Sequence, residues 1–388
     1  MSRINVAQMI FSKTIGGAEA VAREIAHHLD KSKFNVTVIV NDEISSQYEG
    51  CSVTVLPIGK FTEIFPKRLL PKLLCKVCPS VFPRKPALPS AVQRVARLLE
   101  DYQMDVLHTH LWLDQHLAST LPEAAAKQVM TVHGVVDLDT RVRHPRHPAL
   151  LHRVLSSADR LTSACRYFVD RLEAHGIPAA GRTSIIENGI RPELGEAKRE
   201  PVRADERLTM TFLGGTRPAK GGEILIEALA IVVSELGRGK IHVDVLREVP
   251  PGSTLYRLIQ QHCLQDHVSL VGYVPDNDHL RFISRNKLFV LPSLTEGVAN
   301  TLMEAIGLDK AILATAVGGT PEVVTHDYNG YLCEPTPESL ATGILFFIRN
   351  PEKLREYGAA NHRLKARYYW PTVIKRYEEL YTSLMEPS

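Results

Sequence analysis

Apolar residues recur along this chain in short runs separated by longer amphipathic stretches, the pattern of strands alternating with helices. Residues 4–11 read as a first strand, leading through Gly16-Gly17-Ala18-Glu19 into an amphipathic helix over 20–29. Residues 36–40 and 51–56 follow as strands, the first apolar enough to be buried on both faces. A helix is predicted over 91–100, then a strand over 105–110 that ends on histidines, a design repeated over 129–134. Segments 156–164 and 183–188 supply the last elements of this half. Such alternation predicts a parallel sheet covered by helices on both faces.

The run 190–201 is polar and punctuated by proline, the composition of a linker. The pattern then restarts, with strands over 208–213, 241–246, 268–271 and 287–291 and helices over 223–236 and 255–263. A glycine-rich loop, 214–222, follows the first of these strands. Thr336-Pro337 is a helix start, since threonine caps and proline fits the first turn. Helices over 351–366 and 371–384 close the pattern, and no internal repeat appears. We expect two domains, 1–190 and 191–369, as a length of 388 residues also implies.

Composition narrows the class. A chain with 44% hydrophobic and 23% charged residues is that of a soluble globular protein. No apolar run reaches the length of a membrane span, and the amino-terminal residues read as a strand rather than a signal peptide. Cysteines 51, 75, 78, 165, 263 and 333 are scattered, which fits a reducing cytoplasm better than a disulfide framework. Cys75-Lys-Val-Cys78 has zinc or redox spacing but no second pair, and reads as two thiols in a basic segment. A net charge of +3 is too small to imply nucleic acid. The positive charge is concentrated in 60–85, where Lys60, Lys67, Arg68, Lys72, Lys76, Arg84 and Lys85 interleave with large apolar residues. Four prolines break any single helix there. This segment suits peripheral contact with an anionic membrane at the inner face of the cell; the competing reading is a core-packed loop with its charges in water.

The chemistry is concentrated in Leu291-Pro-Ser-Leu-Thr-Glu296-Gly297-Val298-Ala299-Asn300-Thr301-Leu-Met-Glu304 and in Gly318-Gly319-Thr-Pro-Glu322. A buried strand ends in a polar loop carrying one carboxylate, and a short helix carries a second. That is the layout of a ligand site at the carboxyl edge of a parallel sheet. A helix starting near Asn300 and Thr301 would present N–H groups to phosphate, and two glutamates could grip sugar hydroxyls. The segment resembles the signature of the retaining glycosyltransferases of family 4, in which seven residues separate two glutamates, as they separate Glu296 and Glu304. The likeness continues in order through Gly16-Gly17-Ala18-Glu19, His108-Thr-His110, His133-Gly134, Asn188-Gly189-Ile190 and Lys220-Gly221. It implies the GT-B fold, an α/β architecture of two Rossmann-like parallel-sheet domains facing a central cleft. It also implies that residues 370–388 cross back to the first domain.

Leaving of a diphosphate builds negative charge, which cations must meet where no metal does so. Lys220 matches the family's lysine. The family's arginine would stand at position 215, which is glycine here, so Arg217 becomes the candidate substitute. By resemblance Glu304 binds ribose hydroxyls, Glu296 touches the donor sugar, and His133 faces that sugar. Backbone amides of Gly297, Val298, Ala299 and Asn300 would hold sugar and phosphate oxygens, while Gly318 and Gly319 allow close approach to the nucleotide. Gly16 and Gly17 are expected to form a tight turn beside the diphosphate or acceptor. A histidine at a strand end such as His133 is, without the resemblance, as readily a satisfied structural residue. His108 and His110 share a face but lack a third metal ligand, which favours a structural role. Asp137-Leu-Asp139 and Asp276-Asn-Asp278 imitate a metal-binding motif by chance.

The expected activity is therefore a retaining, metal-independent glycosyltransferase in the cytoplasm, without a cofactor, using a nucleotide sugar. Its acceptor would be a glycan or lipid-linked saccharide in bacterial surface polysaccharide or lipopolysaccharide biosynthesis. The competing classes are a nucleotide-sugar epimerase or phosphorylase on the same fold and a catalytically silent nucleotide-sugar-binding protein. A nicotinamide dehydrogenase is weakened because neither half has G-x-G-x-x-G after its first strand.

Overall fold

The computed structural model describes residues 3–12, 16–64, 89–122, 125–133, 147–193, 200–275 and 278–386. The chain divides into two units, residues 1–187 with 371–388, and residues 188–370.

Unit 1 contains β1 (Ile4–Ile10), α1 (Gly17–His28), β2 (Phe34–Val40), β3 (Thr54–Pro57), α2 (Pro89–Asp101) and β4 (Val106–Thr109). These lead on to α3 (Trp112–Ala118), β5 (Lys127–Val132), α4 (His147–Ser156), β6 (Arg160–Ser163), α5 (Arg166–Ala174) and β7 (Thr183–Ile185). The sheet order is β3-β2-β1-β4-β5-β6-β7, parallel throughout. Strand order reverses between β1 and β4, the switch point beside which ligands usually bind in such sheets. β1 and β4 are almost wholly buried, and Met9, Ile39, Leu107, Met130 and Leu161 join one apolar core. Two polar residues lie inside that core in register, Gln8 of β1 opposite His108 of β4.

Unit 2 contains β8 (Leu208–Leu213), α6 (Gly222–Leu236), β9 (Ile241–Leu246), α7 (Thr254–Gln261), β10 (Val268–Gly272), α8 (His279–Arg285) and β11 (Leu288–Leu291). After these come α9 (Asn300–Gly307), β12 (Ala311–Thr315), α10 (Thr320–Val323), β13 (Tyr331–Cys333), α11 (Pro337–Arg349) and α12 (Glu352–Leu364). Its parallel sheet runs β10-β9-β8-β11-β12-β13, with the reversal between β8 and β11. A separate core formed by Met210, Leu229, Val243, Val290 and Leu313 fills it. The last helix, α13 (Trp370–Ser383), begins at the edge of unit 2, and its residues from 371 onward group with unit 1.

Several elements differ from expectation. The strand expected over 51–56 starts only at Thr54, because Cys51–Val53 turn, with Ser52 at φ +23°. The segment 156–164 holds the end of α4 at Ser156 and a strand confined to Arg160–Ser163. The helix expected over 255–263 is Thr254–Gln261, capped by the Ser253 hydroxyl and stopped by Cys263 at φ +52°. The Cys75/Cys78 pair, Asp137, Asp139, Asp276 and residues 65–85 of the basic segment lie outside the described residues. No helix among the described residues is long and apolar enough to cross a membrane.

Candidate functional site

In unit 2 the loops leaving β8 and β11 are locked together at the switch point. The β8 loop turns through Gly215 at φ +53°, a one-turn helix Pro218–Lys220, and Gly221 at φ +69°. A Cβ on Gly221 would lie 1.7 Å from the Pro292 carbonyl oxygen, so only glycine lets the two loops meet. Leu294 N–H donates to the Ala219 carbonyl at 2.9 Å and completes the seam. The consequence is chemical: Lys220 Nζ sits 2.5 Å from Glu296 Oε2, which also accepts from Ser293 Oγ at 3.1 Å. Both charged side chains are largely buried, 25% and 13% exposed, so the pair is poorly screened by water.

The loop of Glu296 is held from behind as well. Gly318 has φ +58°, and a Cβ there would fall 1.7 Å from the Glu296 carbonyl oxygen. Gly319 N–H donates to the Gly297 carbonyl at 2.9 Å, and the Thr315 hydroxyl donates to the Ser293 carbonyl at 2.6 Å. Asn188 Nδ2 donates to the Val298 carbonyl and to Asn300 Oδ1, at 3.1 and 2.8 Å. The Asn188-Gly189-Ile190 motif thus has a structural reading. Asn188 fixes the loop, Gly189 leaves room for the Trp370 ring, and Ile190 packs against Gly307 of α9. Val298 and Ala299 are buried, and α9 begins at Asn300, with Thr301 in its first turn, where N–H groups lack intrahelical acceptors.

Glu304, one turn along α9, is not part of the Lys220–Glu296 cluster. Its Oε2 lies 2.8 Å from Nε2 of His279, the first residue of α8, and both are half-buried. His279 was not singled out from the sequence; its only signal is its place directly after the Asp-Asn-Asp run. Arg217 is exposed; its backbone N–H donates to Gly214, and its carbonyl accepts from Lys220. The residue that occupies the space beside Gly215 is Arg247, immediately after β9. A Cβ at 215 would meet Arg247 Cβ at 2.8 Å. Arg247 adopts φ +83°, anchored by its N–H to the Gly272 carbonyl at 2.7 Å. Its guanidinium stands 5.8 Å from the ring centre of the exposed Tyr273. A left-handed arginine carries a strain of about 1–3 kcal/mol, of the kind that collects at functional sites. Lys220 packs in the same way against Gly214, so the two cations are rooted on consecutive glycines.

In unit 1 the carboxyl ends of β1 and β4 are tied by Asp114, whose carboxyl oxygens accept from Phe11 N–H at 3.1 Å and Leu111 N–H at 3.2 Å. Gly16 corrects an expectation: its backbone is extended, at φ −126° and ψ −161°, and Gly17 is already helical. Neither residue takes the left-handed backbone that favours glycine. Instead Glu19 reaches back to the Gly16 N–H at 2.9 Å, and a Cβ would crowd that carboxylate. His108 is fully buried between Tyr381 Oη at 2.7 Å and Thr131 Oγ1 at 2.6 Å. His110 bonds Gln8 Oε1 at 2.7 Å and His133 Nε2 at 3.1 Å. Both ring nitrogens of His108 and of His110 are therefore engaged by protein groups. Burial, with the neighbouring His133, pushes His108 down to about 3, and burial pushes His133 down to about 4. All three rings are neutral near pH 7, His110 being held well below its ordinary value by burial and its two neighbours.

Two family models cover this chain consecutively. Residues 15–194 match "Glycosyltransferase Family 4", and residues 195–364 match "Glycosyl transferases group 1". The amylovoran biosynthesis glycosyltransferase AmsK of Erwinia amylovora is 26% identical over 274 residues, covering 65% of this chain and 63% of that protein. A D-inositol 3-phosphate glycosyltransferase of Thermobispora bispora is 24% identical over 322 residues, covering 76% and 74%. Among solved structures, Anabaena HepE in complex with UDP-glucose superimposes with a TM-score of 0.75 at 18% identity, over 98% of this chain and all of that one.

Proposed function

This chain belongs to the glycosyl transferases group 1, with the paired parallel sheets of the GT-B fold, and from that premise we propose that it moves a sugar from a nucleoside-diphosphate donor to a glycan or lipid-linked acceptor. The observation that carries the reading is the Lys220–Glu296 pair, clamped where the loops after β8 and β11 meet at the switch point of the unit 2 sheet. Lys220 is assigned to the departing diphosphate, where stabilising the developing charge is the largest catalytic contribution. Arg247 is assigned as the second cation; its left-handed backbone and the approach of its Cβ to Gly215 support the assignment, since Gly215 stands where the family arginine is missing. Glu304, oriented by His279, is assigned to ribose hydroxyls, and Glu296 with the amides of Gly297–Asn300 to the donor sugar. His133 is the unit 1 residue assigned to substrate. A UDP donor is supported by the UDP-glucose complex of HepE, and a polysaccharide product by the amylovoran biosynthesis in the name of AmsK.

Retention at the anomeric carbon and independence from metal follow from the motif's resemblance, with the leaving phosphate itself assisting deprotonation of the acceptor. The basic segment 60–85 is assigned to an anionic membrane surface carrying a lipid-linked acceptor. A thermal-shift panel of UDP, GDP and ADP tests the donor assignment, since saturation at 100 Kd adds about 2.7 kcal/mol of stability. One base should stabilise the wild type and fail to stabilise Lys220→Ala; no response to any base would overturn the reading. Turnover should persist in excess EDTA, and loss restored by manganese or magnesium would reject metal independence. Flotation with anionic vesicles should weaken when Lys67, Arg68, Lys72 and Lys76 become serine, and equal flotation would leave 60–85 as a packed loop.

A further inference from the structure

The buried polar chain of unit 1 has a direction that can be read atom by atom. Gln8 has an amide with one donating and one accepting end. Its Nε2 donates to Tyr381 Oη at 3.0 Å, and its Oε1 accepts from His110 Nε2 at 2.7 Å. Tyr381 has one proton to give, and gives it to His108 Nδ1 at 2.7 Å. His108 is then protonated at Nε2 and donates to Thr131 Oγ1 at 2.6 Å, which continues to Thr162 Oγ1 at 2.5 Å. On the other branch, His110 carries its proton at Nε2, so its Nδ1 is a bare acceptor. The group facing it is His133 Nε2 at 3.1 Å, with the rings stacked at 5.4 Å between centres. A bare nitrogen can be bonded only by a donor, so His133 holds its proton at Nε2. Burial keeps each ring to a single proton, which leaves His133 Nδ1 with a lone pair. Among the described residues that nitrogen has no hydrogen-bond partner, and His133 is half-buried directly after β5.

We infer that Gln8 and Tyr381 are positioning residues that lock His133 in its Nε2–H tautomer, so that it meets substrate as a hydrogen-bond acceptor at Nδ1. The group recognised there is a hydroxyl, which can donate. A carboxylate or phosphate oxygen would face a lone pair, so an acidic sugar is disfavoured at this contact. The tautomer stands on unit 1 alone, while its use on substrate rests on the assignment of His133 made above. Tyr381 belongs to α13, so the carboxyl-terminal helix acts on the site through this chain of bonds rather than by touching substrate.

Long-range nitrogen–proton correlation spectra of histidine-labelled protein read the tautomer directly. Wild type should show a protonated Nε2 and a bare Nδ1 for His133. Gln8→Leu, or Tyr381→Phe where the leucine variant fails to fold, frees the polarity of the chain and should give a mixture of both tautomers. A His133 protonated at Nδ1 in the wild type would mean that the Gln8 amide is reversed, and would overturn the inference. An unmixed Nε2–H form in Tyr381→Phe and Gln8→Leu alike would overturn the positioning role. If His133→Phe leaves transfer unchanged while the wild-type tautomer is as stated, the substrate contact is overturned and the tautomer is not. A uronic acid donor turned over as well as its neutral hexose counterpart would reject the hydroxyl selectivity.

Discussion

Replacing Gly318 with alanine should damage the enzyme far more through geometry than through the added methyl itself. Gly318 sits at φ +58°, where an L-residue pays about 1–2 kcal/mol for its Cβ. That strain alone predicts a fall in Tm of about 2–8 °C for a unit of this size. The larger effect is local, because the new Cβ would stand 1.7 Å from the Glu296 carbonyl oxygen and 2.8 Å from its carbon. Real Cβ contacts essentially never fall below 3.0 Å, and the obstructing atoms are backbone that cannot rotate aside. The loop carrying Glu296 must therefore withdraw by about 1.3 Å, stretching the Lys220–Glu296 pair and the Gly319–Gly297 hydrogen bond. A misplacement of about 1 Å in a catalytic group is worth roughly a hundredfold in rate. Gly239→Ala is the control, since its φ of +85° is also left-handed and a Cβ there meets nothing within 4 Å. Thermal unfolding and donor turnover should be followed for both variants. Gly239→Ala should lose stability and keep its kcat, whereas Gly318→Ala should lose about two orders of magnitude in kcat/KM. Matching behaviour in both assays would refute the claim that the Gly318 turn shapes the Glu296 loop.

Further outcomes follow from the same geometry. Lys220→Ala and Glu296→Ala should be non-additive in thermal unfolding, with a coupling of about 0.5–3 kcal/mol; additive losses would mean that the pair is not a working contact. Arg247→Gly should raise Tm by releasing backbone strain and still lower kcat by roughly 100-fold or more, while Arg217→Ala stays near normal. The reverse ranking in kcat would return the cation role to Arg217. Asp244 ties Arg203 and Arg285 to the unit 2 sheet. Burial alone would raise its pKa, but hydrogen bonds from His242, Asn286 and Arg285 and the charge of Arg203 outweigh it and hold it well below the carboxylate range. The stability it brings is complete above an unfolded pKa of about 3.9 and is lost as pH falls toward the folded value. Tm should therefore drop on acidification below about pH 4 in wild type and much less in Asp244→Asn; parallel curves would contradict this.

Much of this arrangement was legible because buried parallel strands announce themselves. β1, β2, β8 and β9 are buried over nearly their whole length, and glycine-rich loops follow β1 and β8. Short helices such as Trp112–Ala118 and His279–Arg285 were missed, since seven residues hold too few turns for a helical period to stand out. At the site, Glu296, Glu304 and Lys220 were visible through the family resemblance of the motifs that carry them. Their partners were not: Lys220 and Glu296 lie 76 positions apart, and nothing local pairs Glu304 with His279. Arg247 was invisible because a left-handed backbone at arginine is set by the close approach of Gly215 and the bond to Gly272, not by local preference. His108 and His110 were correctly placed on one face, but what binds their nitrogens comes from β1, β5 and a helix 273 positions beyond His108. At Gly16-Gly17 the backbone is extended and then helical, and the capping carboxylate of Glu19 accounts for a small residue at Gly16.

The division of labour between the two glutamates is the core of the account, and calorimetric titration of UDP, GDP and ADP into wild type, Glu296→Gln and Glu304→Ala tests it most directly. One nucleotide should bind wild type. Glu304→Ala should weaken that binding by about 10- to 150-fold, the worth of a charged hydrogen bond of about 1.5–3 kcal/mol. Glu296→Gln should leave nucleotide affinity unchanged while abolishing transfer, because its contact is to the sugar. Equal losses of affinity in the two variants, or binding of no nucleotide by wild type, would contradict it.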